Sequence, residues 1–307
     1  LFLFTLWHRR SPMKNMTALR LMERFHTEEE CRTALEELRW SAGITCPRCE
    51  GKRHAHDTVR GVYDCYSCGY QFSVLAGTIF QDTKLPLRKW FMAVLLIIEA
   101  KKGVSANQLK RILGVSYKTA WYLCHRIRAA MRDAYPFPLK GIVEVDETYV
   151  GGKVRGRGHG YKGNKAIVVG AVERGGKIVL KVVPGTDTAT LQGFVTRSTA
   201  PETVAIYTDE HASYRGIADK DTRHETVQHG IGEYVRGDVH TNSVEGVWSL
   251  FKRSLIGSYH KLSVKHLDSY LDELEWRFNN RENPYLFRDT LLKLLMAENL
   301  SYQKLTE

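Results

Sequence analysis

The segment that decides the fold is GIVEVDETYV, which spans Gly141–Val150. Valines alternate here with polar residues, and this period of two is typical of a β-strand with one buried face. The alternation places the side chains of Glu144 and Asp146 together on the face opposite the valines. We therefore predict a strand that carries carboxyl groups on its more polar face.

The residues that follow predict a mixed α/β domain. Two β-branched runs joined by a glycine turn, Ala166–Val172 and Ile178–Val183, complete an antiparallel meander with the first strand. The later predicted elements are a helix at Thr188–Thr196, a strand at Val204–Thr208, a short helical stretch, a weaker strand near Glu225–Gln228 and a helix at about Ser243–Ser258. Three strands, helix, strand, helix, strand, helix is the order of a ribonuclease H-like domain, in which the first and fourth strands are neighbours.

Three acidic residues of this domain can converge at one edge of the sheet. Asp146 lies on the first strand, Asp209 follows the fourth, and Glu245 lies in the last helix. Such a cluster is costly without cations, because like charges at contact distance raise each other's pKa. Two Mg²⁺ ions would remove that cost and would activate water or a 3′-hydroxyl for attack on a phosphodiester. Lys252 and Asn242 share the helical face of Glu245, and Lys252 could bind a DNA phosphate.

Each of these residues also has an ordinary interpretation, and other acids lie nearby. An Asp after a strand is usually a turn residue, and a helical Glu is usually solvated. Glu144 shares the face of Asp146 and stays open as an alternative. Glu147 is expected on the opposite face, and Glu210 directly follows Asp209. The order of the elements and the Glu–Lys spacing favour the first set.

The cysteines indicate a second metal site. Two C-x-x-C pairs, with fifteen residues between them, are formed by Cys46, Cys49, Cys65 and Cys68. This spacing is typical of a zinc ribbon, in which each pair turns two thiolates toward one tetrahedral Zn²⁺. The alternatives are two disulfides or a redox pair, but nothing in the sequence points to an oxidising compartment. His54 and His56 lie between the pairs and could substitute as ligands, although four thiolates already complete the coordination shell.

A helix-turn-helix pattern lies between these two regions. Ser105 begins a capping box with Gln108, and Gly114 then breaks the first helix before a second one at Tyr117–Arg128. The outward residues of the second helix are predicted to be Tyr117, Lys118, Tyr122, His125 and Arg126, a set suited to a major groove. The alternative is an ordinary helical hairpin with a solvated basic face.

A glycine-rich loop with one-sided charge follows the first strand of the α/β domain. The loop, at residues 151–165, contains no acid, and its basic residues are Lys153, Arg155, Arg157, Lys162 and Lys165. We favour a role in binding the phosphate backbone, through counterion release rather than base recognition. The alternative is a solvated hairpin loop, which would not need charge of one sign only.

Composition agrees with a polyanionic partner. Of the 307 residues, 43% are hydrophobic, and Lys plus Arg number 45 against 34 Asp plus Glu, for a net charge of +11. No apolar run reaches the roughly 20 residues that a membrane span needs. The first residues place an apolar stretch before the basic ones, which is the reverse of a signal peptide. We expect a cytoplasmic protein with no membrane partner.

Taken in order, the motifs resemble those of DDE insertion-sequence transposases that carry an N-terminal zinc ribbon. They are CPRC…CYSCGYQFSVLAGTIF (Cys46–Phe80), LPLRKWF (Leu85–Phe91), VEVDETYVGGK (Val143–Lys153), TDEHASY (Thr208–Tyr214), HTNSVEGVWSLFKR (His240–Arg253) and RFNNR (Arg277–Arg281). The resemblance covers nearly everything from Met16 to about Pro284. It implies Mg²⁺- or Mn²⁺-dependent cleavage of an element's own DNA ends and strand transfer into target DNA.

The resemblance also implies roles for particular residues. Asp146 and Asp209 carry over as metal-binding carboxylates, with Lys252 as the accompanying basic residue. The third position differs among relatives, some of which have Asn in place of Glu. Spacing and chemistry favour Glu245 there, with Asn242 in reserve.

The expected architecture is a multidomain α/β protein. Its predicted parts are a helical segment at 13–40, a zinc ribbon at 41–80, a helix-turn-helix-like segment at 81–135, a ribonuclease H-like DDE catalytic domain with a mixed sheet at 136–283 and a helical tail at 284–307. The expected partners are double-stranded DNA, as terminal inverted repeats and as target, and further copies of the chain in a synaptic complex. The competing hypotheses are a non-catalytic DNA-binding regulator or domesticated transposase, and a nuclease or junction resolvase without strand transfer.

Overall fold

The computed structural model describes residues 13–133, 138–151, 165–218, 220–260 and 262–307. The chain forms two compact units. One comprises Leu1–Met131 together with Asn280–Glu307, and the other comprises Arg132–Asn279. The C-terminal segment is therefore part of the same unit as the N-terminal helices and the cysteine pairs. The predicted α/β class, with a mixed sheet in one region and helices with a small ribbon in another, is confirmed.

The first unit begins with two helices and a small sheet. The elements are α1 (Ala18–Arg24), α2 (Glu28–Arg39), β1 (His54–Asp57), β2 (Val62–Cys65) and β3 (Gln71–Phe72). Helix α2 begins with a capping box, in which the Thr27 side chain accepts from the Glu30 amide and the Glu30 carboxylate accepts from the Thr27 amide. The three strands form an antiparallel sheet in the order β1-β2-β3, which holds the two cysteine pairs near each other.

Three helices follow in the same unit, α3 (Leu87–Glu99), α4 (Ala106–Leu113) and α5 (Tyr117–Met131). Helices α4 and α5 have the predicted helix-turn-helix connection. Ser105 caps α4, and Gly114 ends it in the left-handed conformation at φ 60°, which costs glycine little because it has no Cβ. The Ser116 hydroxyl then accepts from the Thr119 amide at the start of α5. The spacing of Leu109, Ile112 and Leu113 predicts an apolar face for α4; Leu109 and Leu113 are buried, whereas Ile112 is 48% exposed.

The second unit is built on a five-stranded sheet. Its strands are β4 (Leu139–Val150), β5 (Ala166–Glu173), β6 (Ile178–Val183), β7 (Thr199–Thr208) and β8 (Arg223–Thr226), in the spatial order β6-β5-β4-β7-β8. Strand β5 is antiparallel to both of its neighbours, whereas β4 and β8 are parallel to β7. This is the ribonuclease H-like arrangement that the order of the predicted elements implied.

Helices cover both faces of this sheet. Helix α6 (Thr188–Ser198) buries Leu191, Phe194 and Val195 against the valines of β4. A short hairpin follows β8, formed by β9 (Val235–Arg236) and β10 (Val239–His240), and leads into α7 (Asn242–Ser254) and α8 (Leu267–Asn279). These two helices share the other apolar cluster with β5 and β6. The predicted last helix thus consists of α7 and a π-helical turn at Leu255–Tyr259.

The chain then returns to the first unit with α9 (Leu286–Met296) and α10 (Tyr302–Thr306). The Leu294 carbonyl of α9 accepts from the Ile79 amide, and the Phe287 ring packs edge-on against Phe91 of α3. These contacts explain why the tail belongs to the first unit. In the described parts of the chain, no helix combines the length and apolarity that a membrane crossing requires.

Candidate active site and cysteine cluster

Three carboxyl groups converge near the C-terminal ends of the neighbouring strands β4 and β7 of the five-stranded sheet. Asp146, Glu147 and Asp209 each offer a carboxylate oxygen, and these oxygens all lie within 4.8 Å of one another. The pairing of β4 with β7 ends, among the described residues, at Glu144 and Tyr207. Asp146 and Glu147 therefore lie just beyond the last paired residue of β4, and Asp209 follows the end of β7. The register of this one parallel pair brings the three groups together.

Glu147 belongs to this group although it lies on the sheet face opposite Asp146, as strand alternation predicts. It faces Tyr214 of the apolar cluster under α6, whereas Asp146 faces Trp248 of the cluster under α7 and α8. The two faces can converge on Asp209 here because β4 continues past its last pair with β7. Side chains from both faces of β4 can therefore approach Asp209 at this end of the strand.

The local electrostatics suit a divalent cation. Burial and, after it, the nearby charge of Asp209 raise the pKa of Asp146 to about 6 and that of Glu147 to about 7. Within the described residues, the buried Oε1 of Glu147 and the buried hydroxyl of Tyr214 make no close hydrogen bond, although the two side chains are near enough for Tyr214 to lower the pKa of Glu147. Crowded carboxylates with an unpartnered oxygen are the ligands that Mg²⁺ and Mn²⁺ prefer. The residues present therefore fit such an ion.

A tryptophan that the sequence analysis missed orients the central carboxylate. The Trp248 indole Nε1 of α7 donates to Asp146 Oδ2 at 3.0 Å. Its ring lies so close to β5 that a Cβ at Gly170 would be 2.7 Å from it. Gly170 is the residue directly opposite Asp146 in the β4–β5 ladder. A glycine inside a predicted strand was the available signal, since such a residue often marks a close approach.

The helical residues predicted for the site lie on the exposed side of α7. Asn242, Glu245 and Lys252 are all exposed. Glu245 is not a member of the tight group, but its charge is near enough to raise the pKa of Asp146. The Glu245 carboxylate accepts from the Thr241 hydroxyl at 3.3 Å and lies 3.7 Å from His229 Nε2. The structure thus brings Asp146 and Asp209 together and leaves Glu245 at the margin.

Glu144, the alternative left open by the sequence, does not join the acid group. Its side chain is fully buried, and both oxygens already accept hydrogen bonds from Arg174 and from the start of α7. It is therefore not available as a metal ligand in this arrangement.

The four cysteines form a site of a different kind. The sulfurs of Cys46, Cys49, Cys65 and Cys68 lie within 4.8 Å of one another, with 3.8 Å between Cys46 and Cys68 and 3.6 Å between Cys49 and Cys65. A disulfide requires about 2.05 Å, so the disulfide alternative is wrong. Tetrahedral thiolates about 2.3 Å from Zn²⁺ are about 3.8 Å apart, so the residues fit this ion.

The two histidines between the cysteine pairs are engaged elsewhere. His54 Nδ1 lies 2.9 Å from the Lys52 carbonyl, and the His56 ring stacks on Tyr63 with centroids 4.3 Å apart. Neither is among the residues grouped around the sulfurs. The four thiols alone provide the ligand set.

The predicted DNA-reading face of α5 is partly wrong. Arg126 is buried and donates to the carbonyls of Ile79 and Gln81 and to the Asn299 side chain, and His125 is buried as well. Segments distant in sequence cover these positions, which periodicity within one helix cannot reveal. Lys118 is exposed, with its ammonium 4.2 Å from the centre of the Tyr302 ring.

Most of the predicted basic loop lies outside the described residues. This is true of Lys153, Arg155, Arg157 and Lys162. Lys165, at the end of the loop, is described and is partly exposed.

Comparison with known proteins identifies both regions. Residues 138–279 match the ISXO2-like transposase domain, and residues 26–71 match the transposase zinc-ribbon domain. The chain is 31% identical over 274 residues to an uncharacterized protein in transposable element ISH50 of Halobacterium salinarum, a match that covers 82% of this chain and 91% of that protein. An uncharacterized transposase-like protein of Haemophilus influenzae is 29% identical over 106 residues, covering 34% of this chain and 84% of that protein.

Among solved structures, a pre-cleavage Mos1 transpososome shares 12% identity at a TM-score of 0.26, over 66% of this chain and 77% of that one, and this likeness is too low to bear on the fold. The sequence matches decide the family. Because the long match spans nearly the whole relative and both domains are matched in the predicted order, the chain belongs to the DDE insertion-sequence transposases with an N-terminal zinc ribbon.

Proposed function

We propose that this transposase is an active enzyme that cleaves the phosphodiester bonds at the ends of its insertion sequence and transfers the freed 3′ ends to target DNA. The observation that carries the proposal is the convergence of Asp146, Glu147 and Asp209 within 4.8 Å at the open edge of the sheet. A DNA-binding regulator would have no use for three crowded carboxyl groups, two of which have raised pKa values.

Asp146 and Asp209 would hold the divalent cations, Mg²⁺ or Mn²⁺ and two in number, with Glu245 of α7 as the third ligand and Asn242 in reserve. When bound, these ions supply activation of the attacking oxygen and stabilisation of the leaving oxygen. Trp248 fixes the orientation of the Asp146 carboxylate through its hydrogen bond. Lys252 lies on the exposed face of α7 and would bind a backbone phosphate of the DNA end.

The first unit would bind the DNA. Its four cysteines would hold one structural Zn²⁺, and Lys118 at the exposed start of α5 would contact the element's end. The partners would be the terminal inverted repeats and the target, both double-stranded DNA. Two DNA ends must be cut and joined together, so we expect copies of the chain to assemble in a synaptic complex.

The test is cleavage of a labelled duplex that carries the element's end, in the presence of Mg²⁺. Asp146→Asn should abolish cleavage, because it removes a negative charge from a metal ligand, while DNA binding should stay the same or become slightly tighter. Lys140→Gln is a matched control, since its partner Glu202 is an exposed residue away from the acid group. Cleavage by Asp146→Asn at a near wild-type rate would overturn the proposal and favour the DNA-binding regulator.

A further inference from the structure

A second carboxylate on β4 holds the start of the helix that carries Glu245. The Glu144 side chain is fully buried, two residues before Asp146 on the same strand. Its oxygens accept from the Ser243 amide at 2.6 Å, the Ser243 hydroxyl at 2.9 Å, the Val244 amide at 3.2 Å and Arg174 Nε at 2.6 Å. His240 Nδ1 lies 3.3 Å away. Every donor except Arg174 belongs to the first turn of α7.

The first turn of α7 depends on this distant carboxylate. The first amides of any helix have no partner within the helix and need a cap. In the described chain the N-cap residue Thr241 makes no such side-chain hydrogen bond, and its hydroxyl instead donates to Glu245. Glu144 supplies the acceptors from the sheet, and its negative charge interacts favourably with the positive end of the helix dipole. The start of α7 is therefore fixed to β4.

Arg174 makes this buried charge tolerable and extends the connection. Its guanidinium also donates to the carbonyls of Asp238 and His240, at 2.7 and 3.0 Å. A buried carboxylate is costly unless it is paired and hydrogen-bonded, and Arg174 meets both needs while binding the segment that leads into α7. The ion pair thus sets where the helix begins.

A second attachment lies farther along the same helix. Trp248 of α7 donates to Asp146, two residues after Glu144 on β4. Glu245 lies between the two attachment points on the helix. Side chains at i and i+2 share one face of a strand, so Glu144 and Asp146 contact the same helix in succession. Together they determine the distance between Glu245 and the acid group.

We infer that Glu144 is a positioning residue for the metal site: by holding the first turn of α7, it sets where Glu245 lies relative to Asp146 and Asp209. This inference rests on the proposed function, in which those residues bind the divalent cations. It goes beyond that function by assigning to Glu144 and Arg174 an effect on metal affinity that they exert through α7. A purely structural ion pair would instead affect stability alone.

The test is a Mn²⁺ titration of the full chain without DNA, followed by electron paramagnetic resonance, together with cleavage measured across Mn²⁺ concentrations. Glu144→Gln keeps the size of the side chain but replaces one acceptor oxygen with a donor, which would face helix amides that also donate. We expect its Mn²⁺ affinity to fall about 10- to 100-fold, as is typical when an outer partner of metal ligands is lost. Cleavage at saturating DNA should recover in part at high Mn²⁺.

The matched control is Glu273→Gln. Glu273 is also fully buried in the second unit, where it pairs with Arg277 at 3.2 Å and accepts from the Tyr259 hydroxyl at 2.7 Å. It lies on α8, away from the start of α7. We expect this variant to lose thermal stability while its Mn²⁺ affinity stays within about twofold of wild type. Equal Mn²⁺ affinities for Glu144→Gln, Glu273→Gln and wild type would overturn the inference.

A milder pair of variants covers the case in which Glu144→Gln does not fold. Ser243→Ala removes only the hydroxyl that Glu144 accepts, and Ser254→Ala removes a hydroxyl that donates to the Leu250 carbonyl later in α7. We expect Ser243→Ala to weaken Mn²⁺ binding about threefold and Ser254→Ala to leave it unchanged. An unchanged affinity in Ser243→Ala would also overturn the inference. Failure of the proposed function can be told apart from failure of this inference, because in that case the wild-type protein itself would not cleave the duplex.

Discussion

The two candidate metal sites differ in how the chain builds them. The cysteine cluster is formed by two short turns and one small sheet, so its ligands lie within twenty-three residues of one another. The acid group joins Asp146 and Glu147 to Asp209, 62 residues beyond Glu147, and depends on the register of β4 against β7. A local site can be recognised from spacing alone. A site made by strand pairing can be recognised only when the topology is also known.

The difference also concerns what metal binding does to each site. Thiolates around Zn²⁺ contribute to folding, because a small ribbon has little apolar core of its own. The acid group lies on a sheet whose two faces are already packed against helices. We therefore expect metal removal to unfold the first site and only to inactivate the second.

The largest expected effect is the loss of Zn²⁺ from the first unit. Changing Cys46 and Cys49 to Ser should reduce bound zinc to background and unfold the ribbon, since the free energy of binding in comparable sites is about 10–16 kcal/mol. Zinc content and hydrogen exchange of the full chain would measure this. Cys31→Ser is the control, because Cys31 is buried on α2 outside the cluster. Full zinc content in the double variant would contradict the assignment.

The next largest effect is on cleavage and Mg²⁺ binding when the candidate metal ligands beside Asp146 and Asp209 are changed one at a time. Glu245→Gln should lower the cleavage rate by at least about 100-fold if Glu245 is the third ligand, whereas Asn242→Ala should have a mild effect. Glu147→Gln should weaken Mg²⁺ binding, because Glu147 contributes an unpartnered buried oxygen. Single-turnover cleavage against Mg²⁺ concentration gives all three values. The reverse ranking of Glu245 and Asn242 would transfer the third position to Asn242.

A smaller effect is expected in the pH dependence of stability. The pKa of Asp146 is raised from 3.8 to about 6, and that of Glu147 from 4.5 to about 7. A raised carboxyl pKa means that the folded unit binds protons more tightly than the unfolded chain, so stability is lost as the pH rises from about 4 to about 7, by about 1.4 kcal/mol for each unit of pKa shift. Mg²⁺ should reverse this loss, and the rise in Tm that it causes should be larger at pH 8 than at pH 5. A rise that is equal at both values would count against these pKa shifts.

The smallest effect is a change of packing beside the site. Gly170→Ala places a methyl group against the rigid Trp248 ring, which must shift, at a cost of about 1–2 kcal/mol. Since Trp248 donates to Asp146, cleavage should fall more than stability alone explains. Gly246→Ala on the exposed side of α7 is the control, because a Cβ there meets no described neighbour within 4 Å. Equal cleavage by the two variants would argue against a role for Trp248 in orienting Asp146.

The sequence was informative where structure is local or periodic. Spacing predicted the four cysteines as one group, a capping box and a left-handed glycine predicted the helix-turn-helix, and element order predicted the sheet. It failed where distant segments meet. Glu147 joins the acid group because β4 extends beyond its last pair with β7. Arg126 is buried because residues near Ile79 and Asn299 cover it.

The central claim is that the acid edge of the sheet is a divalent-cation site, separate in place and in metal from the cysteine cluster. Anomalous scattering from Mn²⁺-soaked crystals of the full chain tests it most directly. We predict manganese density in contact with Asp146 and Asp209, and zinc density, distinguished by its absorption edge, among the four cysteines. Manganese absent from the acid edge at concentrations that support cleavage, or bound only elsewhere, would contradict the account.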